Sequence, residues 1–176
     1  MTQSYTEGAI TFDFPDHWAV CRAAQTSFYR RHFQSFCMGC REMDIQAYDP
    51  HSLILWLLEI KDYRLFGRTK LLDLADEVAE KTRDVLAMLV VAGVRDNAAS
   101  TPGRLEAGEF WNVARNANSI RVILHCELPA APSRLFPGIK DAANLQNKLK
   151  QKLRVVDPHV LFTNRAKAHH LPWEVA

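Results

Sequence analysis

Residues 53–64 read LILWLLEIKDYR. Six apolar residues run without interruption from Leu53 to Leu58, and then Glu59 and Lys61 appear two positions apart. The run is short and mixes β-branched and aromatic side chains with leucine, which predicts a strand. Apolar on both faces, it is expected at the centre of a sheet that is covered on both sides. Alternate side chains of a strand share a face, so Glu59 and Lys61 project with Leu53, Leu55 and Leu57, and Ile60 projects opposite. An isolated ion at the dehydrated end of such a strand is costly. The two charges must therefore satisfy each other or hold something. The competing reading is a strand end that reaches water, with Glu59–Lys61 a surface pair worth under about 1 kcal/mol.

Just upstream, EMDIQAYDP alternates and stops at Asp49–Pro50, a turn signal. The two segments read as a hairpin around DPHS, with Asp44, Gln46 and Tyr48 on one face. That turn brings Asp44 towards the Glu59 end of the next strand. Two carboxylates from adjacent strands, with the Ile60 carbonyl between the charges, make a donor set suited to Mg²⁺ or Mn²⁺. Such an ion polarises a phosphoryl oxygen and lowers the pKa of a bound water. Lys61 is placed to orient that water or to stabilise negative charge in a phosphoryl transition state.

Asp44 followed by Glu59-Ile60-Lys61 resembles the PD-(D/E)xK nuclease superfamily, the restriction-endonuclease-like fold. The resemblance implies a helix–three strands–helix–strand core over about residues 26–128, with 129–176 as a C-terminal helix–strand extension of one domain spanning 1–176. It implies that Asp44 and Glu59, with the Ile60 carbonyl, hold Mg²⁺ or Mn²⁺ and that Lys61 is catalytic. SFCMG (35–39) takes the place of the first core strand. Arg64, Arg68 and Lys70 follow the motif directly and are expected on substrate phosphates. The chain departs from the family pattern twice. Met43 stands where the family has proline, and residues 17–36 contain no glutamate to serve as a first-helix ligand. Gln25 is the nearest substitute and adds no charge. The activity implied is metal-dependent cleavage of DNA or RNA. The alternative is an inactive module of the same fold that binds nucleic acid or a protein, including a second copy of itself. An unrelated α/β interaction protein follows if Asp44 lies far from Glu59.

The rest of the chain supports an α/β domain with a mixed sheet flanked by helices. ITFDF alternates and ends at Pro15. Residues 26–34 read as helix, while 18–24 fit either a helix or a strand paired with ITFDF. From Leu71 to Val94 the apolar residues recur with a 3.6 period, with Thr69 placed to cap the helix. Residues 96–118 are a polar connection with room for a helical turn. SIRVILHCEL is a strand, and residues 139–153 form a basic amphipathic helix on Leu145, Leu149 and Leu153. HVLFTN is a short final strand.

Composition sets the outer bounds. The chain has 176 residues, 48% apolar and 24% charged, which is globular. No window is apolar enough for a membrane span, and the N-terminus has no signal-peptide pattern, so a cytoplasmic protein with reduced cysteines is expected. A net charge of +2 selects no partner. CMGC (37–40) has the spacing of half a zinc site but lacks a second pair, so structural zinc is not expected there. His17, His32, His51 and His159 have no partner at ligand spacing, and Asp49 reads as a turn residue. Neither phosphate-loop nor dinucleotide glycine motifs occur, so no nucleotide cofactor is indicated.

Overall fold

The computed structural model describes residues 2–64, 72–128 and 139–176. In chain order the strands are β1 (Thr2–Glu7), β2 (Ile10–Pro15), β3 (Ala19–Cys21), β4 (Ile45–Asp49) and β5 (Ile54–Asp62). Helices α1 (Leu74–Arg95) and α2 (Ala107–Ala114) follow, then β6 (Ser119–Glu127), α3 (Ile139–Leu153), β7 (Leu161–Thr163) and β8 (Glu174–Val175). The main sheet has the order β3-β4-β5-β6-β7. It is mixed: β3, β4 and β5 pair antiparallel, whereas β5–β6 and β6–β7 are parallel. A second sheet, β1-β2-β8, is antiparallel.

The long apolar run is therefore the central strand, and both its faces are covered. Leu55 and Leu57 join a core with α1, α2 and α3, through Val78, Leu89, Phe110 and Leu149. Trp56, Leu58 and Ile60 pack instead against Phe12, Phe14 and Trp173 of the second sheet and the segment before β8. Five apolar side chains of β5 are buried: Leu55, Trp56, Leu57, Leu58 and Ile60. At about 1.5–3 kcal/mol for each large apolar side chain, this burial exceeds the few kcal/mol that one buried ion costs. That surplus lets the strand carry charges at its end.

Helix α1 includes four alanines and three leucines, both good helix formers. Its cap is Asp73, whose side chain accepts from the Ala75 N–H at 2.9 Å. Thr69, the cap expected from sequence, lies outside the described residues. α3 buries Leu145, Leu149 and Leu153 as its row predicts. Its exposed lysines reach across to the start of α1: Lys148 pairs with Asp73 at 2.6 Å, and Lys152 pairs with Asp76. Among the described residues no helix is long and apolar enough to cross a membrane.

Two sequence expectations change. SFCMG is not a strand. Phe36–Met38 is a 3-10 turn, and Cys37, Met38 and Gly39 take φ of 49°, 69° and 101°, left-handed values that a strand does not contain. The first strand of the main sheet is instead β3, in the segment left open between helix and strand. ITFDF pairs with residues 2–7 and 174–175, not with residues 18–24. The C-terminal helix and strand join the same body: β7 extends the main sheet and α3 packs into the core beside α1.

Candidate active site at the end of the central strand

The β4–β5 register pairs Ile45 with Leu58. One residue further, Asp44 lies at the level of Glu59, as the hairpin reading requires. The Asp44 side chain turns onto the next strand, and its Oδ2 accepts from the Ile60 N–H at 2.6 Å. Glu59 is fully buried, which excludes a surface ion pair. Its Oε1 accepts from two ammonium groups, Lys61 and, at 2.7 Å, Lys81. Its Oε2 is buried without a hydrogen-bond partner among the described residues.

Two of these groups were missed from sequence. Glu77 and Lys81 project from consecutive turns of α1 into the same space. The Glu77 side chain is fully buried and approaches Lys61 Nζ to 4.0 Å, and Lys81 keeps 11% of its side-chain surface. The sequence held a signal, because both occupy the stripe of α1 that also carries Leu74, Val78 and Val85. Charges on the buried face of an amphipathic helix need a partner. The third carboxylate thus comes from the helix after β5, not from residues 17–36. Gln25, expected as the substitute ligand, is exposed on a 3-10 turn after β3, and no described contact joins it to Asp44, Glu59 or Lys61.

The electrostatics follow from burial and crowding. Burial pushes the Glu59 carboxyl above its ordinary value of 4.5, and the nearby Asp44 charge adds to this; Lys61 and Lys81 oppose it. Burial works to lower the Lys61 pKa, but the charge and hydrogen bond of Glu59, then Asp44 and Glu77, outweigh it and raise it. Lys61 is therefore a firmly held cation.

Of the expected phosphate contacts, only Arg64 is described. It folds back on Asp62, donating from Nε at 2.9 Å and from Nη2 at 2.5 Å. Arg68 and Lys70 lie outside the described residues. No disulfide joins Cys37 and Cys40, or Cys21 and Cys126. The structure also gathers His17, Asp49 and His51, which sequence spacing did not connect.

No family model and no solved structure matches the chain. The chain is similar to a protein named cysteine–tRNA ligase from Neisseria meningitidis serogroup A, with 29% identity over an alignment of 214 residues. That alignment covers 97% of this chain and 29% of the relative, so the chain spans less than a third of that protein's length.

Proposed function

We propose that this chain is a metal-dependent phosphodiesterase of the PD-(D/E)xK type, with a restriction-endonuclease-like core, acting on nucleic acid. The observation that carries the reading is Asp44 hydrogen-bonded to Ile60 N–H beside the buried Glu59–Lys61 pair, at the end of the central strand. Strand β5 followed by α1 and the parallel β6 agrees with the element order of that fold.

The residues present fit a hard divalent cation. All the donors are oxygens, and Glu59 Oε2 is a buried carboxylate oxygen with no described partner. Asp44, Glu59 and the Ile60 carbonyl would hold Mg²⁺ or Mn²⁺. When bound, such an ion supplies charge neutralisation, a polarised phosphoryl oxygen and a more acidic water. Lys61 is protonated at neutral pH, so it acts as a fixed positive charge and not as a base. It stabilises charge developing on the phosphoryl oxygens. Glu77 positions Lys61 from the helix side, and Lys81 balances Glu59.

A second reading is an inactive module of the same fold that binds nucleic acid or a protein. It is favoured by Glu59 already carrying two ammonium partners, which neutralise it without an ion. The test is cleavage of duplex DNA, single-stranded DNA and RNA under Mg²⁺ and Mn²⁺. Transfer RNA belongs among the substrates because the similar Neisseria protein is named for a tRNA ligase. Cleavage is expected to disappear with EDTA and in Lys61→Ala and Glu59→Gln, with circular dichroism unchanged. Equal cleavage by wild type and Lys61→Ala overturns the nuclease reading. Binding that is indifferent to EDTA, without cleavage, selects the second one.

A further inference from the structure

At the opposite end of the β4–β5 hairpin three metal-ligating side chains converge from two parts of the chain. His17 lies in the connection between β2 and β3, Asp49 ends β4, and His51 sits in the hairpin turn. The donor atoms of all three lie within 4.8 Å of one another. The imidazoles of His17 and His51 stack, with centroids 4.3 Å apart and planes inclined by 22°.

The carboxylate is held in place. Asp49 Oδ1 accepts from the His51 N–H at 2.9 Å, and Oδ2 accepts from the Ser52 hydroxyl at 2.5 Å. A carboxylate offers about four lone-pair sites, so Asp49 keeps acceptor capacity for an ion. These two hydrogen bonds orient the Asp49 carboxylate, as outer hydrogen bonds do for metal-bound carboxylates.

We propose that His17, Asp49 and His51 form a Zn²⁺ site that ties the β4–β5 turn to the β2–β3 connection. Two imidazoles and one carboxylate are a borderline-soft donor set of the kind zinc takes, with water completing the tetrahedron. His17 and His51 are exposed, so small side-chain rotations bring the nitrogens to bonding distance without disturbing the core. The site joins the two packed layers, because β2 belongs to the second sheet and β4 and β5 to the main one. It is separate from the acidic site. Asp49 pairs with Ile54, five residues before Glu59 on β5, or about 17 Å away at ~3.3 Å per residue. Its nitrogen donors also set it apart from the all-oxygen set at Asp44 and Glu59.

The experiment is titration of the untagged 176-residue chain with Zn²⁺ by calorimetry in excess Mg²⁺, to occupy the proposed acidic site, with Co²⁺ as an optical substitute and thermal unfolding as a second readout. One equivalent is expected to bind, to give visible Co²⁺ bands and to raise Tm. His17→Ala and His51→Ala are each expected to lose at least roughly tenfold in affinity and to abolish the Tm rise. His169→Ala removes one of the other neighbouring histidine pair, His169–His170, and is expected to change nothing, as is Glu59→Gln. Absence of one-equivalent binding to wild type overturns the proposal. So does binding that survives the double variant H17A/H51A, or that is lost in H169A. The retained signal in Glu59→Gln keeps this outcome independent of the nuclease reading.

Discussion

Glu59 holds the centre of the candidate site through an imbalance between its two oxygens. One accepts from both Lys61 and Lys81, and the other has no described partner. Burial raises its pKa, so protons would compete with the proposed divalent cation for this carboxylate above the usual pH range. The sign is fixed by that competition, because a cation binds the ionised form. Mn²⁺ affinity is expected to rise with pH through a midpoint above 4.5, the ordinary value for this group. Calorimetry across a pH series checks it, and Glu59→Gln should flatten the profile. An affinity that does not change across that window rules out Glu59 as the titrating ligand. At this scale the sequence revealed what strand parity determines. Asp44, Glu59 and Lys61 follow from a two-residue period and one turn. Glu77 and Lys81 lie on the stripe that the helical period marks, but which charges of the strand they meet depends on how α1 docks against the sheet.

Helix α2 is seated closely on the end of α1. Gly108 donates its N–H to Asp96 Oδ2 at 3.1 Å, and a Cβ there would lie 2.5 Å from the Asp96 carbonyl oxygen and 3.1 Å from that of Ala92. The obstructing atoms are backbone and cannot swing away. Gly108→Ala is therefore expected to destabilise the protein by about 1–3 kcal/mol through overpacking, read from urea unfolding. Wild-type stability in that variant shows that the α1–α2 junction yields. Legibility varied among the elements for physical reasons. The β4–β5 hairpin was readable because Asp49–Pro50 interrupts two strongly patterned runs. Strand β1 was not, since TQSYTE is an edge strand whose side chains are exposed or only half-buried. SFCMG misled because its composition suits a strand, while its backbone turns left-handed at three consecutive residues. The eight residues of α2 were too few for a period to stand out within a polar connection.

Across the whole molecule the second sheet is fastened by aromatic rings. Trp173 meets Phe14 at 5.2 Å, Trp56 at 5.1 Å and Trp18 at 6.0 Å between centroids, joining the C-terminal segment to the back of the central strand. Its Nε1 has no hydrogen-bond partner among the described residues. Trp173→Ala is expected to cost about 3–5 kcal/mol in denaturant unfolding, and Trp173→Phe clearly less, since only part of the packing is lost. Equal losses in the two would show that the indole nitrogen matters after all. The mixed pairing of β5 also has a kinetic side. Its antiparallel partner is a hairpin away, and Asp44 reaches Ile60 across 16 residues. Its parallel partner β6 begins at Ser119, opposite Ile54, after a crossover through residues 63–118. Short-range closure precedes long-range closure during folding. The acidic half of the site is thus assembled in the earliest part of the chain to take shape, and Glu77 and Lys81 arrive only when the crossover helix docks. If the hairpin closes first, Asp44 and Glu59 come together with only Lys61 as a cationic partner, before Lys81 arrives on α1.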